Sequence, residues 1–137
     1  WSGDVGDVEE AMQAGRAQAA ASLCDELLLT QVHDEVIDVL RRKDKRPLSE
    51  DLSIGILETL SAASTLRGAD AACKAAEVRL HELRLCDGLG GKGFAILTGE
   101  QDMVEAALAT VEQLLTPGLL LSVELIARPH PDFLQTL

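Results

Sequence analysis

The chain contains few aromatic residues: two phenylalanines, one tryptophan and no tyrosine among 137 residues. Single-stranded nucleic acids stack on aromatic side chains, so this composition argues against such a function. Basic residues are also scarce, 12 against 23 acidic ones, and the formal net charge is −11. A phosphate backbone would be repelled by this charge, and nucleic acid is therefore not an expected partner.

Long hydrophobic runs are missing as well, since no apolar stretch approaches the roughly 20 residues that span a bilayer. The three cysteines, Cys24, Cys73 and Cys86, are an odd number without a CxxC pair. A disulfide framework or a closed zinc site within one chain is therefore not expected. These features predict a cytoplasmic protein without a membrane partner.

An internal repeat is the most informative pattern that is present. Residues 3–40 resemble residues 99–137, with one residue inserted between two matched stretches. The first stretch matches Gly3, Val8, Glu9 and Ala11 to Gly99, Val104, Glu105 and Ala107, and the second matches Leu28, His33, Ile37 and Leu40 to Leu125, His130, Leu134 and Leu137.

The repeat predicts a domain organisation. Residues 1–41 would be the back half of a first domain, 42–51 a linker with a basic start, and 52–137 a complete second domain. On this hypothesis, about 45 residues equivalent to 52–96 would precede Gly3. The alternative is that 1–40 is an N-terminal extension whose similarity to the later copy is accidental.

Periodicity within the second copy predicts an α+β fold. We expect the order β-α-β-β-α-β and a final helix, hence a ferredoxin-like domain with a four-stranded antiparallel sheet and helices on one face. Alternation changes parity after Leu80, which indicates a bulge. The expected strands are 52–58, 78–85, 93–98 and 119–127, and the expected helices are 61–77, 101–115 and 132–137. The first copy would supply helix 4–22, strand 26–32 and helix 34–41.

No constellation of residues predicts catalysis. The run 88–93 matches G-x-G-x-x-G, but it leads into a strand rather than a helix, so dinucleotide binding is not expected. No nucleophile elbow G-x-S-x-G occurs, and no histidine has ligand spacing to another histidine or cysteine. His33 and His130 occupy equivalent strand-to-helix junctions, which favours capping or packing. Cys73 lies on an apolar helix stripe and is expected in the core, whereas Cys86 borders the glycine loop.

The second copy resembles the bacterial microcompartment (BMC) shell domain. The residues that carry the resemblance are Ile54–Thr59, Gly68–Ala76 with its ADxxxKAA pattern, Val78, the loop Gly88–Lys92, the turn Thr98–Glu100, and Ile126–His130 with its RPH ending. The match covers 52–137 fully and 3–40 as the back half of a preceding copy. The chain is therefore similar to tandem-domain shell proteins, in which two fused domains make a trimer that mimics a hexamer.

The resemblance implies roles for particular residues. Lys74, Arg128 and His130 would lie at the tile edge, and the first copy departs from the pattern there because Gln31-Val32-His33 replaces Arg-Pro-His. The loop around a central pore would contain Asp87, Gly88, Leu89, Gly90 and Gly91. Asp87 would disfavour anions in the pore, and Lys92 would oppose that effect.

The resemblance also implies partners and a location. We expect a non-enzymatic homotrimer that tiles with other shell proteins and passes small polar metabolites through its pore, within a cytoplasmic microcompartment shell. No cofactor is expected. A less favoured alternative is an iron–sulfur cluster on the threefold axis, for which Cys86 lies three residues before the expected position. The alternative function is a small-molecule-binding regulatory module on a ferredoxin-like fold, and an enzyme is the third hypothesis.

Overall fold

The computed structural model describes residues 3–41, 48 and 52–135. The expected linker 42–51 therefore lies outside the described residues except for Leu48, as do residues 136–137 of the expected final helix. The helices are α1 (Val5–Ala19), α2 (Asp34–Arg41), α3 (Ala62–Ala75), α4 (Gln101–Leu114) and α5 (Pro131–Leu134), with a 3-10 turn at Ala20–Ser22; the strands are β1 (Ser53–Thr59), β2 (Arg79–Leu85), β3 (Gly93–Gly99) and β4 (Leu120–Ile126). In this part of the chain, no helix is long and apolar enough to cross a membrane.

The four strands form one antiparallel sheet in the order β2-β3-β1-β4. This order and the intervening helices confirm the ferredoxin-like arrangement expected for residues 52–137. The register of β2 against β3 shifts between Leu80 and Glu82, where the side-chain alternation changes parity. The change of parity therefore reports an irregularity in this edge strand, as expected.

Helices α3 and α4 pack against each other and against β1. Small residues allow this close contact: a Cβ on Gly55 would lie 2.7 Å from Cγ1 of Val104, and one on Gly68 would lie 3.4 Å from Cδ1 of Leu57. The stripe of α3 predicted from the sequence contributes Ala69 and Cys73 to the core. The buried apolar core also includes Leu57, Ala72, Leu80, Ala95, Leu97, Val104, Ala107, Leu108, Val111 and Leu115. Leu114 lies on α4 three residues after the buried Val111, but it is 49% exposed.

The first segment, residues 3–41, joins this domain in a different way. Helix α1 buries none of its residues, whereas α2 packs on α3 and β2 and inserts the fully buried Val36 into the core. The prediction of a strand over 26–32 is wrong for the described chain, where residues 23–29 have no regular structure. A strand requires a hydrogen-bonded neighbour, and none of the described strands pairs with this segment. Its counterpart in the repeat, β4, pairs with β1.

Candidate functional site

The glycine loop between β2 and β3 is a compact turn held by its own backbone. The amide of Cys86 donates to the carbonyl of Lys92, the amide of Leu89 to that of Cys86, and the amide of Lys92 to that of Leu89, over 3.0–3.3 Å. Gly88, Gly90 and Gly91 have φ angles of 69°, 63° and 92°. A Cβ at these three glycines would meet no atom within 4 Å. The loop therefore needs glycine for its backbone conformation and not for space.

The basic side chains at the base of the loop lie beside acidic side chains, whereas Asp87 on the loop is exposed. The Nζ of Lys92 lies 3.5 Å from Oε1 of Glu58, and the Nε of Arg84 lies 2.7 Å from Oε1 of Glu82. The hydrogen bond and charge of Glu82, with a smaller contribution from Asp87, raise the pKa of Arg84 above its ordinary value. Asp87 itself is exposed on the loop. The loop thus presents one exposed carboxylate, while its lysine lies beside an acidic side chain.

The expected edge residues lie at the opposite end of the sheet from the loop. Thr59 of β1 pairs with Gly93, next to the loop, whereas Ser53 at the other end of β1 pairs with Gly99. Lys74 lies in the last turn of α3, which runs back towards the Ser53 end. Arg128 follows β4, whose Ile126 pairs with Ile54 at that same end. The seven residues of β1 therefore separate the two groups by about 20 Å.

The two histidines of the repeat play the same local role. In the first copy, Nδ1 of His33 accepts a hydrogen bond from the amide of Glu35 at 3.2 Å, at the start of α2. In the second copy, Nδ1 of His130 accepts one from the amide of Asp132 at 3.3 Å, at the start of α5. The interpretation of both residues as helix caps is confirmed. The shared geometry also supports the equivalence of the two segments.

Residues 25–36 dock onto α3 and β2, and we call this contact the seam. At its first end, the carboxylate of Asp25 accepts hydrogen bonds from the hydroxyls of Ser61 and Ser64, the latter at 2.6 Å. The carbonyl of Glu26 accepts one from Arg67 Nη2 at 2.8 Å. These polar bonds fix the extended stretch of the first copy against the N-terminal half of α3.

At its second end, the seam continues along α3 to β2. Asp70 Oδ1 accepts from the amide of His33 at 2.8 Å, and Lys74 Nζ donates to the carbonyl of Gln31. Glu35 Oε2 accepts from the amide of Leu80 in the edge strand β2 at 3.1 Å. Lys74 was expected at the tile edge, and none of the other side chains of this contact was predicted from the sequence. Their partners are 36–45 residues away in the chain, and no local spacing indicates such contacts.

Electrostatics favour the ionised form of Asp25. Burial pushes the pKa of this carboxyl upward, but hydrogen bonds from Ser61, Ser64 and the amide of Glu26, together with the charge of Arg67, outweigh burial. The pKa of Asp25 therefore lies below its ordinary value. A negatively charged Asp25 is thus part of the docked seam at neutral pH.

The cysteines occupy different environments. Cys73 is buried, whereas Cys24 and Cys86 are exposed. The Sγ of Cys86 lies 3.1 Å from the carbonyl oxygen of Gly91. Within residues 3–41 and 52–135, no group of three His, Cys, Asp or Glu side chains is arranged to hold a metal ion. An iron–sulfur cluster needs several converging thiolates, so Cys86 by itself does not supply the ligands for one.

Comparisons with known proteins place this geometry in a family. The BMC domain matches residues 53–129. The bacterial microcompartment shell protein PduT of Citrobacter freundii is 35% identical over 132 residues, which cover 93% of this chain and 69% of that protein. Among solved structures, a microcompartments protein from Desulfitobacterium hafniense is 37% identical with a TM-score of 0.79, and the match covers 98% of this chain and 74% of that one.

A second solved structure shows the same fold at lower similarity. It is a fused permuted hexameric shell protein from the RMM microcompartment, 22% identical with a TM-score of 0.58, and the match covers 81% of this chain and 61% of that one. The agreement of family domain, relatives and fold leaves a single conclusion. The chain belongs to the BMC-domain family and is a structural protein of a bacterial microcompartment shell.

Proposed function

We propose that three copies of this protein, each with two BMC lobes, form a pseudo-hexameric ring that tiles into shell facets around a central pore. The observation that carries the proposal is the seam, in which the first lobe docks head-to-tail on the second. Contacts of this kind use two different surfaces, so each lobe can bind one neighbour on each side. Such contacts close into a ring when the rotation between neighbours is suitable.

The second copy offers counterparts of the docking residues of the seam, since residues 128–134 correspond to 31–37. His130 and Asp132 are the counterparts of His33 and Glu35, and their side chains are 75% and 86% exposed. We infer that 128–134 docks on the α3- and β2-equivalents of a first lobe in the next protomer. Three chains then supply six lobes and six such contacts.

The exposed interior of the first lobe supports the tandem organisation. Helix α1 buries no residue, and the extended stretch 23–29 beside it has no strand partner among the described residues. A cavity of about 450 Å³ separates these two elements. Its lining is mostly apolar and includes Val5, Val8, Met12, Leu27, Leu29, Val32 and Leu66. In the second lobe, β1 and α3 cover the equivalent surface, so we propose that a counterpart of residues 52–96 covers it in the first.

The position of the glycine loop supports its assignment to the pore. It lies at the end of the sheet away from Lys74, Arg128 and His130, so a ring with these three residues on its perimeter has the loop near its axis. Asp87, Gly88, Leu89, Gly90 and Gly91 would then form the rim contributed by this lobe. Small side chains and backbone groups at a rim suit the passage of small polar metabolites.

The charge pattern of the loop supports a preference of the proposed pore for solutes of particular charge. Because Lys92 lies beside Glu58, the exposed Asp87 dominates the charge of this rim. Three copies of Asp87 around one axis would favour neutral and cationic solutes over anions. The partners proposed are thus two further copies of the chain, other shell proteins at the tile edge, and small polar metabolites. No cofactor is part of this proposal.

Native mass spectrometry of the intact protein tests the ring. We expect a mass of three chains, with hexagonal sheets in electron micrographs. Phe133→Asp should weaken the trimer, because Phe133 is the counterpart of Val36 in the segment inferred to dock on the next protomer, and a charge in a buried contact is costly. Leu40→Asp is the control, since Leu40 lies on α2 and is 52% exposed. A strictly monomeric protein at high concentration, or equal effects of both variants, would contradict the proposal.

A further inference from the structure

Asp70 bonds both to the seam and to a residue of the expected tile edge. Its carboxylate is almost fully buried, with 6% of the side chain exposed, on the third turn of α3. Oδ1 accepts the amide hydrogen of His33 at 2.8 Å, and Oδ2 accepts from Nζ of Lys74 at 2.6 Å. One oxygen therefore bonds to the first lobe and the other to the perimeter lysine.

Lys74 is held by groups from both lobes. Its ammonium group bonds to Oδ2 of Asp70 within its own helix and to the carbonyl of Gln31 in the docked segment. The side chain is nevertheless 44% exposed, so it remains on the surface. Undocking of residues 31–33 would remove one acceptor from Lys74 and expose the carboxylate that supplies the other. The orientation of this lysine thus depends on the seam.

We propose that Asp70 is a positioning residue that makes the tile-edge conformation of Lys74 conditional on docking of the preceding lobe. The inference rests on the proposed function, because it assumes that Lys74 contacts a neighbouring tile. Its consequence is an order of assembly. A chain whose first lobe has not docked on its second carries a mobile lysine, whereas a docked chain presents this lysine already oriented. Docking of the two lobes within a chain would therefore precede the joining of tiles.

Ordering of the Lys74 side chain at a contact between tiles carries a free-energy cost. Immobilising a long side chain at an interface costs about 0.5–1.5 kcal/mol, a difference equivalent to about two- to tenfold in an association constant. Docking of the lobes meets this cost before two tiles meet. The lysine side chain of this pair is 44% exposed, so solvent screens part of its attraction to Asp70.

Asp70→Asn separates the two tasks of the carboxylate in the intact protein. The amide oxygen of asparagine can still accept from His33, whereas its NH2 group cannot accept from Lys74. We expect the trimer to persist in native mass spectrometry. The critical concentration for sheet formation, measured by light scattering and electron microscopy, should rise about two- to tenfold. Lys74→Met should raise it similarly, and the double variant should raise it no further. Glu112→Gln on α4 is the control for loss of an exposed acidic charge, and it should have no effect.

A second variant and measurement test the seam side of the same residue. In Asp70→Ala, the amide of His33 should exchange its hydrogen faster, whereas Asp70→Asn should keep its protection. Unchanged sheet formation by Asp70→Asn, with a raised critical concentration for Lys74→Met, would overturn the role of Asp70 alone. Additive effects in the double variant, or loss of the trimer in Asp70→Asn, would also overturn it. No effect of Lys74→Met on sheets would remove the tile-edge assignment and this inference, while the trimer would stand.

Discussion

At the scale of single residues, the three cysteines test how burial controls reactivity. Burial raises the pKa of the Cys73 thiol to about 12, and the negative charges of Glu35 and Asp70 act in the same direction. Cys24 and Cys86 are exposed. Only the thiolate attacks a disulfide reagent, so the reactivity of the three residues should differ strongly.

We therefore predict that an aromatic disulfide reagent at pH 8 labels two thiols per folded chain rapidly. The third, Cys73, should react only when a denaturant unfolds the protein. Peptide mass mapping identifies the modified residues, and a Cys73→Ala variant should lose the labelling that requires denaturant without changing the rapid phase. Rapid modification of all three thiols in the folded protein would contradict the described burial of Cys73.

Residue patterns revealed local conformation but not long-range bonds. The glycine loop and the core position of Cys73 were predictable because positive φ and an apolar helix stripe leave local signals. The contact of Asp25 with Ser61 and Ser64 was not, because it joins groups 36 and 39 residues apart. Taken alone, each of these residues has a small polar side chain of a kind that is usually exposed to solvent. Only the docking of one segment on another gives them a partner.

At the scale of elements, the seam should respond to acid through Asp25. The pKa of this carboxyl is lowered in the folded protein. Its contribution to stability is therefore fully present above the unfolded pKa of about 3.9, and it is lost as the pH falls through the lower folded value. Protonation removes the charge that the hydroxyls of Ser61, Ser64 and the guanidinium of Arg67 stabilise.

We predict that Asp25→Asn lowers the free energy of unfolding by about 1–3 kcal/mol at pH 7. The difference between wild type and variant should shrink below about pH 4, because Asp25 then takes up a proton in the unfolded chain before it does so in the folded protein. Urea unfolding at pH 7 and at pH 3 measures both values. Asp102→Asn, which removes an exposed carboxylate from α4, is the control. A difference that is constant between these two pH values would contradict the charged seam.

The elements themselves were largely predictable from periodicity. All four strands and three helices of residues 52–135 lie within a few residues of the expected bounds, and the final helix is short. Sequence patterns could not show that residues 23–29 lack a sheet partner. Alternation and apolarity indicate which face of a segment can be buried, but not which strand pairs with it. Likewise, the sequence predicted a helix over 4–22 but not how far it is buried, and α1 buries none of its residues in the described chain.

At the scale of the whole molecule, the proposed pore has a testable charge preference. The exposed Asp87 is repeated three times around the axis of the proposed ring, and Lys92 lies next to Glu58. Charges several ångströms from a permeating ion in water interact by fractions of a kcal/mol each, and salt screens part of this. The summed effect is therefore modest, but it should be measurable.

We predict that Asp87→Asn reduces the preference for cations over anions by about two- to fivefold. Conductance through a single reconstituted trimer under a salt gradient measures this ratio. Raising the ionic strength should diminish the difference between the two proteins. Asp102→Asn is the matched control, because α4 begins at the opposite end of the sheet from the loop. An unchanged ratio in Asp87→Asn would mean that the loop does not line the conducting path.

The length of β1 has a further consequence for how such a wall can diversify. The glycine loop and the residues around Lys74 sit at opposite ends of a rigid strand whose seven residues are paired on both sides along most of its length. In the proposed ring, substitutions that widen, narrow or recharge the aperture would therefore act far from the contacts between plates. Variants of the loop would then alter what crosses the barrier while keeping the lattice that joins neighbouring plates intact.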